Sequence, residues 1–391
     1  PAVEMAAQIL DTMLAPGGVS IVDPAMADHG KLYSGFDEQY ARAMGRLCEQ
    51  ADVIIPNICC CGVDIVAGPD TYRDLPKLCR EAESGGKGIN TLLSTEETYA
   101  DIAPVRLDKN GVSGFISIMR GCNNFCSYCV VPYTRGRERS RDYETIVNEA
   151  RTLFENGYRE VTLLGQNVNS YLNGEVNFPK LLAKVADISP LLRVRFATSH
   201  PKDLSDELIA TMASYRNICK AIHLPAQSGS NAQLEKMNRK YTREWYLERI
   251  AAIKKAMPEC SITTDLISGF CGETLEDHAA TLSLMREVGY SSAFMFKYSV
   301  RPDTFSARHF EDDVTEQEKT RRLTEVIALQ NELSLEGNRR DIGKRFEVLI
   351  EGSSKRSDKQ LCGRTSQNKM VVFDRVEGYG AGDYIEVEIT D

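Results

Sequence analysis

From residue 114 onward the chain alternates between two hydrophobic periods. Short apolar, β-rich runs stand at GFISIMR (114–120), EVTLLGQN (160–167), VRFATSH (194–200), AIHLPAQ (221–227), ITTDLISG (262–269) and SAFMFKYS (292–299). Between them, apolar residues recur every three or four positions, as in DYETIVNEARTLFENG (142–157) and TREWYLERIAAIKKAM (242–257), the second opened by Thr242 as an N-cap. Strands alternating with helices predict a parallel sheet with crossover connections, in which chemistry gathers at the carboxyl ends of the strands. Those ends carry Gly165-Gln166-Asn167, Ser199-His200, Gln227-Ser228 and Gly269. A charged helical pattern over 315–337 predicts a connecting helix. The period then falls to two in RFEVLIEG, GRTSQNKMVVF and YIEVEIT, which predicts a small all-β domain, a barrel, over 338–391.

The first 110 residues are less regular. Residues 19–57 read as β-α-β, GVDIVAGPDTYRDLPKL (62–78) as strand, turn and helix, and 85–110 as an extended linker. A chain of 391 residues has room for two or three domains. The expected boundaries are 1–57, 58–110, 111–337 and 338–391.

Charge changes this picture locally. A net charge of -9 argues against a generally basic nucleic-acid coat. Yet Arg135, Arg137, Arg139 and Arg141 fall within seven residues, and Arg339 to Arg375 holds ten Lys/Arg against five Asp/Glu. Such patches suit phosphates, the alternative being a solvated face. No apolar run reaches the ~18 residues of a membrane span. The opening PAVEMAAQILDTML lacks a signal peptide's basic start and cleavage site, so a cytoplasmic protein with no membrane association is expected. Without a secretion signal, the twelve cysteines point to metal or redox chemistry rather than a disulfide framework.

Three cysteines carry the sharpest signal. Cys122, Cys126 and Cys129 follow a strand directly, in Arg-Gly-Cys-Asn-Asn-Phe-Cys-Ser-Tyr-Cys-Val (120–130). Three thiolates this close can hold three irons of a [4Fe–4S] cluster and leave the fourth open to a small chelating molecule. Structural zinc sites and ferredoxin clusters use four ligands, and no fourth Cys or His lies nearby in sequence.

This CxxxCxxC loop, with Tyr128 before its last cysteine, resembles the radical S-adenosylmethionine (SAM) superfamily. The resemblance implies a partial (β/α)6 barrel whose open iron binds SAM and whose electron cleaves it to a 5′-deoxyadenosyl radical. It implies that Gln166 and Asn167 meet the methionine part of SAM, with Ser199, Gln227 and Asp265 near its ribose and adenine. The alternative for polar residues at strand ends is a role as caps and turn formers.

The stretches SIMRGCNNFCSYCVVPYTRGRERSR (117–141), EVTLLGQNVNSY (160–171), ATSHP (197–201), HLPAQSGS (223–230), DLISGFCGET (265–274) and YSVRPDT (298–304) resemble the methylthiotransferase family, in its tRNA-modifying branch. EVLIEGSSKRSDKQLCGRTSQNKMVVF is similar to a TRAM domain, a β-barrel associated with RNA binding. The implied activity is methylthio addition at C2 of N6-isopentenyladenosine 37 in tRNA. The implied partners are the tRNA anticodon loop, gripped by Arg135, Arg137, Arg139 and Arg141, and an electron donor such as flavodoxin. A monomer is expected.

The family carries a second [4Fe–4S] cluster on three widely spaced N-terminal cysteines. Here Cys59, Cys60 and Cys61 are consecutive, and adjacent thiols do not converge easily on one cluster. Residues 1–57 resemble a fragment of pyridoxal kinase, without a phosphate-binding GTGD loop. The expected fold is therefore α/β: a truncated or hybrid N-terminal α/β segment, the partial barrel, and an all-β TRAM barrel. One cluster is expected, and methylthio transfer is expected to be impaired. Two other readings stay open: an RNA-binding protein with a vestigial cluster domain, and a kinase of B6 vitamers.

Overall fold

The computed structural model describes residues 64–100 and 111–391, which form two bodies. The expected β-α-β unit over 19–57 and Cys59–Cys61 lie outside the described residues.

The first body contains 64–100 together with Arg120–Asn123 and Val130–Arg139. Strand Ile65–Ala67 pairs in parallel with Gly88–Asn90, and the helix Leu75–Glu83 connects them. Tyr72, Leu75, Leu78 and Tyr99 form its small core. The strand Gly88–Asn90 lies where a linker was expected. It is three residues long and set among glycines, so it carries no readable period.

The second body contains 111–119, 124–129 and 140–391. Its first six strands are β1 (Ser113–Ser117), β2 (Glu160–Leu164), β3 (Arg193–Phe196), β4 (Ala221–His223), β5 (Ser261–Ser268) and β6 (Ser292–Lys297). They form two parallel three-stranded sheets, β1-β2-β3 and β4-β5-β6, each in chain order, and an isolated parallel bridge from Val194 to Ile218 extends from β3 towards β4. The alternating periods predict these parallel strands and crossovers, and together they make the partial (β/α)6 barrel that the family resemblance implies. Helices Tyr143–Glu155, Phe178–Ala186, Asp206–Ser214, Arg243–Ala256 and Leu275–Val288 make the crossovers. Thr242 caps its helix as expected, accepting a hydrogen bond from the Trp245 N–H. Along β5, Ile262, Thr264, Leu266 and Ser268 are buried, while Thr263, Asp265 and Ile267 are partly open. That alternation turns one face of the strand to the helices and the other to the barrel interior.

Helix Glu316–Arg339 covers β6 and leads to an antiparallel sheet of β7 (Arg345–Ser354), β8 (Ser357–Thr365), β9 (Met370–Asp374) and β10 (Tyr384–Glu388). Its order is β9-β8-β7-β10, so β9 and β10 are edges. Among the described residues this is a curled four-stranded antiparallel sheet, a half-barrel that agrees with the all-β domain expected over 338–391. Its β8–β9 turn docks on the amino ends of the parallel strands. Arg193 and Arg195 each donate at 2.7 Å to the carbonyls of Arg364 and Thr365, and the Lys220 N–H donates to Ser366 Oγ at 2.9 Å. The carboxyl ends lie away from this floor.

Candidate active site

Cys126 and Cys129 sit on the loop after β1. The Cys129 N–H donates to the Cys126 carbonyl at 3.0 Å, closing a tight turn. The loop is held from the segment after helix Asn231–Lys236. Ser127 donates through its N–H to Met237 O and through its hydroxyl to Lys236 O, and Asn238 Nδ2 donates to Phe125 O at 2.8 Å. Phe125 and Asn238 both take left-handed backbone, at φ 48° and 58°, a conformation that side chains disfavour and that tertiary contacts must hold. Tyr128 turns its ring edge-on to Phe270 at 6.2 Å, against a core of Met237, Phe270, Cys271 and Tyr298. Burial pushes the Tyr128 hydroxyl well above its ordinary pKa, so the ring stays neutral.

Arg239 reaches the cysteine loop directly. Its Nη1 donates to Cys126 Sγ at 3.3 Å, its Nη2 to Pro225 O at 2.7 Å and its Nε to the Tyr241 hydroxyl at 3.0 Å. Only 4% of the residue is exposed. Burial works against its charge, but the facing Tyr241, Tyr128 and Cys126 hold its pKa well above the ordinary arginine value. A buried, permanently charged donor suits a sulfur that carries negative charge. Nothing in the spacing of Asn-Arg-Lys-Tyr (238–241) singles this arginine out; the left-handed Asn238 that aims it shows only in the backbone.

Cys122 belongs to the first body. Its N–H donates to Gly136 O at 3.1 Å. Gly121 before it has φ 74°, and a Cβ there would lie 2.0 Å from the Arg137 carbonyl oxygen, so only glycine fits. The flanks of this segment are clasped by a buried carboxylate. Asp70, 1% exposed in its side chain, takes Arg139 Nη2 at 2.9 Å and Arg120 Nη1 at 3.4 Å. Arg139 also donates to the carbonyls of Glu97 and Ser94, and Arg120 stacks on Tyr99.

The four clustered arginines therefore split, which corrects two of the expected phosphate contacts. Arg139 is buried by the Asp70 clasp. Arg141 is buried too, pairing with Glu149 at 2.5 Å and donating to Thr145 Oγ1 and Ser117 O. Arg135 is half-buried, its pKa lowered first by that burial, and Arg137 is exposed. Those two remain for an outside anion.

The strand ends carry unpaired polar atoms. Gln166 Oε1 after β2, Ser199 Oγ and His200 Nε2 after β3, and Gln227 Oε1 after β4 are buried without a hydrogen-bond partner in the protein. Buried polar atoms demand partners, so orphans gathered at one end of a sheet fit a polar ligand. Asn167 does not join them. Its Nδ2 donates to Asp203 at 2.7 Å, its Oδ1 accepts from the His200 N–H, and it is fully buried. Both ends of its amide are used inside the protein, which corrects the expected ligand contact. Asp265 lies 3.2 Å from His223 Nε2 and remains partly open. His200 is neutral: burial first, then Arg239 and Lys202, lower its pKa to about 2.

Among the described residues, no three His, Cys, Asp or Glu side chains form a group that could hold a metal ion as they stand. The fit of the loop to an iron–sulfur cluster is one of donor chemistry. Three cysteines lie within eight residues of sequence, and one of them is already faced by a buried cation. The orphaned oxygens and imidazole nitrogen at the strand ends fit a polar co-ligand such as SAM.

Comparison with known proteins agrees with this chemistry. A family model for the radical SAM superfamily matches residues 116–285, and one for the TRAM domain matches 339–391. The tRNA-2-methylthio-N6-dimethylallyladenosine synthase of Parabacteroides distasonis is 62% identical over 330 residues, 83% of this chain and 72% of that protein. The synthase of the same description from Bacteroides thetaiotaomicron is 60% identical over 334 residues, 84% of this chain and 73% of its own. The pyridoxal-kinase resemblance over 1–57 falls outside the described residues and is not taken up by these matches.

Proposed function

The chain belongs to the family of tRNA-2-methylthio-N6-dimethylallyladenosine synthases, and on that premise we propose that it adds a methylthio group to C2 of N6-dimethylallyladenosine 37 in the anticodon loop of tRNA. It is a radical SAM enzyme that transfers a sulfur-containing group. Cys122, Cys126 and Cys129 are the proposed cluster ligands, and Gln166, Ser199 and Gln227 the proposed partners of SAM. When bound, the cluster supplies the single electron that cleaves SAM, chemistry suited to an aromatic C–H too weakly acidic for a side-chain base. The protein's own part is positional. Arg239 holds Cys126 against the end of β4, Gly121 and the Asp70 clasp hold the segment of Cys122, and Tyr128 with its apolar neighbours keeps water from one side of the loop. Arg135 and Arg137 are the proposed phosphate contacts, with the basic β7–β8 region a second one.

The observation that carries this reading is the buried guanidinium on Cys126 beside orphaned polar atoms at the strand ends. The vestigial RNA-binder is disfavoured by it, since a lost site has no need to keep a buried charge aimed at sulfur. The chain is proposed to act as a cytoplasmic monomer with an electron donor such as flavodoxin. One cluster is proposed, because three consecutive cysteines do not suit a second; SAM cleavage then exceeds methylthio transfer.

Anaerobic reconstitution with iron and sulfide, iron counting and a SAM-cleavage assay test this. About four irons per chain and 5′-deoxyadenosine are expected. Cys126→Ala is expected to abolish both, and cleavage that survives it removes the proposed site. About eight irons with methylthio product from a prenylated anticodon stem-loop would refute the one-cluster statement alone.

A further inference from the structure

Two large aromatic side chains stand open on the inner face of the barrel. Phe294 is 59% exposed and Phe296 53%. Between and before them on β6, Met295 and Ala293 pack into the main core, so strand alternation turns both phenylalanines to the opposite face. The register with β5 sets Phe294 opposite Asp265 and Phe296 opposite Ile267. Paired residues in a sheet share a face, and that face carries the partly open residues of β5.

The same face has a polar border. His223 on β4 places Nε2 3.2 Å from Asp265 Oδ1 and Nδ1 3.0 Å from Thr263 Oγ1, and its ring meets Phe294 edge-to-face at 5.8 Å. It also has an upper end. Ile267 packs against the Phe270 and Tyr298 core that receives Tyr128, the residue before Cys129. One surface thus runs from the cysteine loop through Ile267 and Phe296 to Phe294 and the His223–Asp265 pair.

We propose that this surface is the subsite for the prenyl group of the substrate adenosine, with Phe294 and Phe296 as the residues that set specificity for it. The inference rests on the methylthiotransferase reading. A dimethylallyl group is a branched, uncharged five-carbon chain, and it is the one feature of that substrate with no polar atom. An aromatic pair buries such a group well and gains nothing from a phosphate. Phosphate contacts hold any anticodon loop alike, so discrimination for the prenylated base needs an apolar contact of this kind.

The test uses the reconstituted 391-residue chain and an anticodon stem-loop RNA made with and without the dimethylallyl group. Binding is followed by fluorescence anisotropy. The wild-type protein is expected to bind the prenylated RNA at least about tenfold more tightly than the unmodified one. The double variant F294A/F296A should lose that preference while binding unmodified RNA as wild type does. F294L/F296L, which keeps apolar surface, should retain most of it. A double alanine variant with undiminished preference overturns the proposal, as does one that weakens both RNAs equally. A concentration-dependent wild-type dimer abolished by the alanines would assign the face to a second copy and also overturn it. Wild-type protein that binds neither RNA and forms no 5′-deoxyadenosine would instead bring down the parent reading, and this one with it.

Discussion

Arg135, Arg137, Arg139 and Arg141 share a spacing and a charge, yet they do different work. Spacing tells how close cations are along the chain; it does not tell which of them a carboxylate from a distant segment will bury. Asp70 lies 69 residues before Arg139, and Glu149 meets Arg141 from the next helix, so neither partner shows in a local charge count. Arg239 failed to stand out for the opposite reason, being one arginine among 47 Lys and Arg. The cysteine triad stands out in the sequence because thiols at that spacing have few other uses. His200 is a case in which burial makes a measurable prediction. Its folded-state pKa is near 2, against an ordinary value of about 6.5. The unfolded chain therefore takes up a proton below about pH 6.5 that the folded chain refuses. The stability this contributes is full above that pH and drains away as the pH falls towards 2. Between pH 6.5 and 5.5 the loss is about 1 kcal/mol. His200→Asn keeps an acceptor for the Lys202 N–H but does not titrate. Urea unfolding at the two pH values should show wild type losing about 1 kcal/mol more than the variant, and equal losses would mean that the imidazole is not buried in its neutral form.

At the scale of elements, legibility followed length and period. All six barrel strands and the helices Tyr143–Glu155, Arg243–Ala256 and Glu316–Arg339 lie where the apolar pattern places them, because long amphipathic segments leave little choice of face. The short pieces escaped. Gly88–Asn90 gains its identity as a strand only from pairing with Ile65–Ala67, and the edges of the C-terminal sheet depend on pairing order rather than on any one strand's pattern. The loop after β1 is irregular for a reason that can be tested. Gly121 holds φ 74° with the Arg137 carbonyl against its Cα, and Cys122 follows at once. Gly121→Ala should therefore displace the cysteine, and reconstituted iron should fall to less than half of the wild-type content. Gly174→Ala is the control. It too has positive φ, at 59°, but nothing stands near its missing Cβ, so it should cost about 1 kcal/mol of stability and leave iron unchanged. Full iron in the Gly121 variant would mean that the loop tolerates rearrangement.

At the scale of the whole second body, the C-terminal sheet is tied to the barrel through charge buried at its floor. Arg195 bridges Glu160 on β2, at 2.7 Å, and the Thr365 carbonyl at the end of β8, at 2.7 Å. Burial opposes the charge on Arg195, but the facing Cys219 and Glu160 outweigh it and raise its pKa above the ordinary arginine value. Two effects follow from one residue, and they separate experimentally. Arg195→Ala strands Glu160 as an uncompensated buried charge and should cost about 3–5 kcal/mol in chemical unfolding. Replacing both partners by apolar residues of similar volume, Glu160→Leu with Arg195→Met, removes the charge problem and should recover most of that loss. It does not restore the donor to Thr365. If the clamp merely stabilises, the double variant should bind an anticodon stem-loop as wild type does. If it sets where the basic sheet stands relative to the strand ends, as the shared contacts from Arg193, Arg195 and Lys220 argue, RNA affinity should fall at least severalfold while SAM cleavage without RNA stays the same. The proposed cleavage site lies at the carboxyl ends of the strands and the clamp at their amino ends, so an equal loss of both activities would show that the double variant had disturbed the barrel itself.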